Sequence, residues 1–330
     1  MKTKQLGTQG PEVSAIGLGL MGMSDFYGRP DDEEESLRVI HAAIERGITL
    51  LDTGDFYGMG HNELLLGRAL RESSKRDRVF IQMKFGALRS PEGAFLGFDG
   101  RPAAVKNAVA QSLNKLGVDH IDLVMPARLD PGVPIEDTIG ALAELVQGGW
   151  VRHIGLSEVG TETLRRASTV APITALQREY SLITRELEAD VIPALDEMGA
   201  GLTAYGVLSR GLLSGKIRSA DDVPADYRSH LPRFTGENLK KNLGVVERLI
   251  ALAESKGATP SQLAIAWVAA RSNTIVPLIG ARTGKQLEES LGAVELELTP
   301  EELATLESEV SAGAIHGERY DAVGMKLIGS

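Results

Sequence analysis

The sequence predicts an α/β fold, a (β/α)8 barrel of the TIM type spanning residues 1–330 as one domain, with an N-terminal β-hairpin and extra C-terminal helices. Two observations predict it. Eight short apolar or β-branched runs punctuate the chain, and each is followed by a longer segment with helical periodicity. The alternation is unbroken by any linker or low-complexity tract. About 250 residues suffice for such a barrel, so 330 leave room for the hairpin and the added helices. A doubly wound sheet is the competing fold. Residues 17–23, GLGLMGM, do contain its G-x-G-x-x-G spacing at Gly17, Gly19 and Gly22. The acidic residue that fold needs after its second strand belongs here to a different constellation, so the barrel is preferred.

Residues 4–6 and 13–15 flank a Gly-Pro-containing turn and read as the hairpin. Residues 16–18 are the first barrel strand. Asp31 or Asp32 caps a helix that runs to residue 46, where Gly47 stops it. The remaining strands are expected at 48–51, 79–83, 121–125, 151–156, 173–176, 202–204 and 274–278. Helices are expected at 62–70, 101–116, 135–147, 161–171, 187–198, 239–255, 260–270, 283–293 and 300–310. The polar stretch 209–237 has no regular period.

Composition narrows the function classes. With no cysteine, the chain has no disulfide scaffold, thiolate metal site or cysteine nucleophile. A formal charge of −10 and 5% aromatic residues argue against a nucleic-acid-binding surface. The longest strongly apolar stretch, LAIAWVAA, is far short of a membrane span. The first residues lack the apolar core of a signal peptide, so a soluble cytoplasmic protein acting on a small molecule is expected.

In a barrel of this type the chemistry sits at the C-terminal ends of the strands. Those positions are polar on five strands or more. They offer Asp52 and Tyr57 (LLDTGDFYG), Lys84 (IQMKFG), Ser157 and Glu158 (GLSE), Gln177 (LQREY), Tyr205 (AYG), and Arg282 with Lys285 (PLIGARTGKQ). A lysine inside an apolar strand needs an anionic partner, and Asp52 on the neighbouring strand is the obvious one. Taken alone, the pair could be a plain inter-strand ion pair, and Tyr57 an ordinary loop tyrosine.

Together, LDTGDFYGMGHNE (51–63), IQMKFG (81–86), VRHIGLSE (151–158) and IVPLIGARTGKQLEESLGA (275–293) resemble the aldo-keto reductase family in order and spacing across essentially the whole chain. The nearest flavour is the bacterial and plant branch related to potassium-channel β-subunits. The resemblance implies NADPH-dependent carbonyl reduction without a metal. Tyr57 would be the general acid, Lys84 would lower its pKa, and Asp52 would hold Lys84. The resemblance assigns the nicotinamide amide to Ser157, Glu158 and Gln177, and stacking on the ring to Tyr205. It assigns the pyrophosphate to the loop with Gly206, Leu208, Arg210 and Lys216. Arg282 and Gln286 would take the adenosine 2′-phosphate and Glu289 the adenine, with Gly280 also on the cofactor. A guanidinium at a helix start suits a phosphate dianion, which favours NADPH over NADH. Gly206–Val207, Glu158 and Ser290 stand where the family more often has Ser-Pro, Asn and Asn.

One departure is larger. Where the family usually reads Leu-Tyr-Tyr-Gln-His-Arg-Val-Asp, this chain reads LVMPARLD, which puts Ala127 at the histidine position. Alanine can donate neither a proton nor a hydrogen bond. Of the six histidines, only His230 in the long loop could fold over the mouth, and a water in the vacated space is the stronger expectation. Three readings follow. The first is a carbonyl reductase relying on Tyr57 and Lys84. The second is NADP(H)-dependent altered chemistry: C=N or C=C reduction, epimerisation or elimination. The third is an NADPH sensor or regulatory subunit with little turnover. Apolar residues near the strand ends, Met23, Phe26, Phe56, Phe85 and Leu129 with Ala127, are the expected pocket walls and favour a lipophilic substrate.

Overall fold

The structure, a computed structural model, describes residues 1–27 and 32–329. Eight parallel strands close into a barrel: β1 (Gly17–Gly19), β2 (Leu50–Gly54), β3 (Phe80–Phe85), β4 (Ile121–Pro126), β5 (Val151–Ser157), β6 (Ile173–Glu179), β7 (Gly201–Tyr205) and β8 (Ile275–Gly280). Neighbours follow chain order, and β8 returns to β1 through Leu278 opposite Gly17. The (β/α)8 expectation is met. The helices are α1 (Glu33–Glu45), α2 (His61–Ser73), α3 (Pro102–Leu116), α4 (Ile135–Gln147), α5 (Thr161–Ser168), α6 (Val191–Met198), α7 (Gly236–Ser255), α8 (Pro260–Ala270), α9 (Gly284–Leu291), α10 (Pro300–Glu309) and α11 (Ala322–Met325). Among the described residues no helix is long and apolar enough to cross a membrane.

The interior is layered. Leu50, Leu123, Met125, Ala175, Val276 and Leu278 fill the lower barrel, with Leu6, Val13 and Phe80 at its floor. Glycine is required where this filling meets a strand. A Cβ on Gly17 would come within 2.2 Å of Leu50 and 2.5 Å of Leu278. Outward-facing apolar residues of the same strands pack against the helices in a second, larger core.

The hairpin pairs Thr3–Gln5 with Glu12–Ser14 and covers the floor. Its Lys4 donates to the carbonyls of Ala269 (2.5 Å), Ser272 (2.8 Å) and Ile275 (2.8 Å), which ties the hairpin to the end of α8. Asp32 caps α1 by accepting from Glu34 N, while Asp31 lies outside the described residues.

Three features depart from the expected elements. A second hairpin, Ala87–Arg89 with Phe95–Phe98, follows β3 at the mouth. It was not expected because its strands are short and carry no alternating pattern. The expected helix 283–293 ends at Leu291 and continues as a tighter turn, Gly292–Glu295. The stretch after β7 is a chain of single turns, Ser209–Ser214, Ala220–Asp222, Tyr227–His230 and Pro232–Phe234.

Replacing Lys4 by Ala is expected to cost about 1–3 kcal/mol, since three carbonyls lose their donor, and is read as a lower denaturant midpoint. Burial brings the Lys4 ammonium down to about 8. Between that value and its unfolded pKa the unfolded chain binds the extra proton. The lysine's contribution to stability therefore rises with pH across that window, and the rise is absent in Lys4→Ala.

Candidate active site

Above the apolar filling, the inward-facing positions turn polar. Asp52, Gln82, Lys84 and Gln177 are all buried there. Asp52 Oδ1 accepts from Lys84 Nζ at 2.5 Å, from Gln82 Nε2 at 2.8 Å and from Gln177 Nε2 at 2.8 Å. The predicted Asp52–Lys84 pair is therefore present. Gln177, expected on the nicotinamide amide, donates from Nε2 to Asp52. Burial pulls the Lys84 ammonium below its ordinary value, Asp52 opposes that, and Arg128 adds to it.

Tyr57 begins a tight turn, Tyr57–Gly60, between β2 and α2. Its ring lies 5.2 Å from Lys84 Nζ and meets Phe56 edge-on at 4.7 Å. Asn62, wholly buried at the start of α2, holds this turn in place. It accepts from Thr53 Oγ1 (2.7 Å) and donates to Leu20 O (2.9 Å) and Ser24 Oγ (2.7 Å). Burial and the Asp52 charge push the Tyr57 phenol well above its ordinary pKa, and the Arg128 guanidinium pulls it down. Arg128 is thus a second cation beside the expected Lys84, which Asp52 engages and which lies 5.2 Å from the Tyr57 ring. Asp55 on the same loop is pushed up to about 7 by burial. Beside it a cleft of about 350 Å³ opens between the second hairpin and α3.

A second polar cluster occupies the β5–β7 side. Glu158 has a left-handed backbone (φ 52°) and is buried. Its Oε1 accepts from Tyr205 OH (2.8 Å) and Glu179 N (3.0 Å), and its Oε2 from Arg319 (3.3 Å). Burial raises its pKa, but Arg319 and Arg128 outweigh that and hold the carboxyl below its ordinary value. Tyr205 also shares a hydrogen bond with Tyr320 at 2.8 Å. Arg210 donates to Glu179 at 2.8 Å and stacks on Tyr320 at 4.5 Å. At Gly206 (φ 67°) a side chain would be strained and its Cβ would crowd Glu179 at 3.0 Å.

The remaining expected residues divide. Lys216 pairs with Glu289 at 3.0 Å, so these two expected cofactor contacts engage each other. Arg282 and Gln286 meet at the start of α9, where Arg282 N donates to Gln286 Oε1 (2.8 Å) and Arg282 Nη1 to Tyr27 O (2.7 Å). Gly280 faces open space. Ser157 ends β5 and lies 3.4 Å from Arg128. Leu208 and Leu129 pack partly buried against the outer core. Phe26 lies in the mouth against Tyr227. Met23 and Phe85 are not pocket walls: both are buried in the layer between strands and helices. Phe85 faces outward because Lys84 beside it faces inward. Ala127 extends the β4 ladder by one residue, its N donating to Phe85 O at 2.8 Å.

His61 bonds Ser24 Oγ, His41 bonds the Ala69 carbonyl, and His230 is exposed. Arg128, Asn62, Arg319 and Tyr320 had no role assigned from the sequence. The first two lie within or beside quoted motifs, whereas nothing local marks the last two.

Residues 15–310 match the model of the aldo/keto reductase family. The chain therefore belongs to the aldo/keto reductase family, whose members are nicotinamide-dependent oxidoreductases. It is similar to the glycerol dehydrogenase AKR11B4 from Gluconobacter oxydans, with 31% identity over 94% of this chain and 95% of that one, and a TM-score of 0.86. It is also similar to the thermostable aldo-keto reductase Tm1743, solved with the inhibitor epalrestat. There the identity is 29% over 94% of this chain and all of that one, with a TM-score of 0.75.

Asn62→Ala is expected to cost about 1–3 kcal/mol by leaving buried partners unsatisfied. It should also lower kcat more than it changes cofactor affinity, because the Tyr57 turn loosens. Steady-state kinetics with a thermal melt checks both.

Proposed function

We propose that the protein, as one catalytic domain, reduces an aldehyde or ketone with NADPH, and that Tyr57 is the general acid. The observation that carries this reading is a buried phenol in the barrel mouth, stacked over a lysine that a buried carboxylate holds. The donor set suits a dinucleotide: Arg282 stands at the start of α9, and Gly280 and Gly206 keep the backbone open or bare. Ser157 would hold the carboxamide, and Tyr205 would present its ring to the nicotinamide. Arg282 with Gln286 would hold the 2′-phosphate. When bound, NADPH supplies the hydride.

The residues handle the proton. Tyr57 keeps its hydroxyl hydrogen well into the alkaline range, because burial and Asp52 both disfavour the phenolate. It therefore approaches a carbonyl oxygen as an acid. On transferring that proton it becomes a phenolate, which Arg128 and the Lys84 ammonium stabilise. Asp52 opposes the lowering that burial imposes on the Lys84 ammonium. Gln177 and Gln82 fix Asp52 and thereby the height of Lys84 in the barrel. A small-molecule substrate and a cytoplasmic setting belong to the same reading.

A second reading has its own observation. Ala127 places only a methyl group in the mouth, while His61 is engaged by Ser24 and His41 by the Ala69 carbonyl. Relative to the family pattern the mouth lacks an imidazole donor, which favours NADP(H)-dependent chemistry on C=N or C=C bonds, epimerisation or elimination. A sensor with little turnover is disfavoured by the Asp52–Lys84–Tyr57 set.

Tyr57→Phe is expected to lower kcat for carbonyl reduction by about 10²–10⁴-fold while leaving NADPH affinity unchanged. Unchanged turnover would refute the acid role. Arg282→Ala should weaken NADPH more than NADH, measured by fluorescence titration of both. Ala127→His separates the two readings. A gain on simple aldehydes supports the carbonyl reductase, and loss of a native activity supports altered chemistry.

A further inference from the structure

The barrel mouth is basic although the chain carries ten net negative charges. Arg178, Arg210, Arg233 and Arg319 converge there, and each is matched to a carboxylate. Arg210 and Arg233 pair with Glu179 at 2.8 and 3.7 Å. Arg319 and Arg178 pair with Glu158 at 3.3 and 3.9 Å. Lys84 has Asp52.

Arg128 is the exception. It directly follows Ala127 at the end of β4 and is half-buried. Its Nη1 folds back onto the Ala127 carbonyl at 2.6 Å and approaches Ser157 Oγ at 3.4 Å. It forms no ion pair with any described residue, and Nε and Nη2 donate to none. The charged and titratable groups that face it include Tyr57, Tyr205, Tyr320, Glu158 and the Lys84 ammonium. Glu158 is already taken by Arg319 and Tyr205.

A partly buried guanidinium with donors to spare and no ion pair among the described residues can take an anion. It is also the fork that binds a carboxylate with two parallel hydrogen bonds. Arg128 brings one charge, which matches a monoanion better than a phosphate dianion. Ala127 supplies the space. Met125 faces the barrel interior, so Ala127 two residues on presents its methyl group to the mouth on the same side.

We propose that Arg128 is a substrate-binding residue, and that the protein's preferred substrates are carbonyl compounds bearing a carboxylate, which Arg128 holds while the carbonyl oxygen meets Tyr57. This inference rests on the reductase reading and deepens it to a substrate class.

The test compares matched pairs with NADPH: a 2-oxo acid, succinic semialdehyde and 4-carboxybenzaldehyde, each against its methyl ester. Wild-type protein should prefer at least one acid over its ester by tenfold or more in kcat/KM. Arg128→Gln should raise KM for that acid by tenfold or more; any loss of kcat through the Tyr57 phenolate falls on acid and ester alike, so the acid-to-ester ratio of kcat/KM drops tenfold or more, with NADPH affinity unchanged. Arg128→Lys should restore part of the preference. Equal use of acids and esters by the wild type would overturn the inference, as would equal loss of both in Arg128→Gln or weakened NADPH binding instead. Failure of the reductase reading looks different. Neither acids nor esters would then turn over, yet an acid would still raise the melting temperature of NADP⁺-loaded wild type and not of Arg128→Gln. Absence of that shift as well would refute the carboxylate site.

Discussion

The site depends on one oxygen atom. Asp52 Oδ1 receives hydrogen bonds from β3 twice and from β6 across the barrel. A carboxylate this buried survives only if its desolvation is offset, and three donors, one of them charged, do that. The geometry of the mouth follows. Lys84 is drawn to the axis beneath the Tyr57 ring. Gln177 is drawn inward and away from the opening. The Asp52 charge keeps the Tyr57 proton in place. Removing the carboxylate would leave Lys84 buried without its anion, a loss of about 3–5 kcal/mol for a buried pair.

The second organising feature is the pair of glutamates on β5 and β6. Glu158 and Glu179 are wholly enclosed, and arginines from four separate segments reach them: β6, the turn after β7, the Pro232–Phe234 turn and the C-terminal segment. These pairs fasten the long loop and the chain end over one side of the mouth. β4, the neighbour of β5, carries no such clamp among the described residues, and Arg128 stands there with donors unspent.

Much of this was legible in the sequence. The barrel strands are apolar on both faces, so they stand out as short runs whatever their neighbours do. Asp52 and Lys84 were legible because a charge in such a run demands a partner. The side of a strand is set by parity, however, and Phe85 beside an inward Lys84 could only face the helices. Arg319 and Tyr320 were not legible: they meet Glu158 and Tyr205 across 161 and 115 residues, and nothing local marks that approach. The hairpin at Ala87–Phe98 escaped because strands of three and four residues carry too little alternation to read.

The most direct measurement of the account is the pH dependence of single-turnover carbonyl reduction, in wild type and in Asp52→Asn. Burial and the Asp52 charge together hold the Tyr57 proton, so the wild-type rate should stay level from mildly acidic pH and fall only in the strongly alkaline range. In Asp52→Asn the neutral amide still accepts from Lys84, but the charge is gone, so that alkaline limb should move to lower pH. A wild-type limb near neutrality, or one that Asp52→Asn leaves in place, would contradict the account.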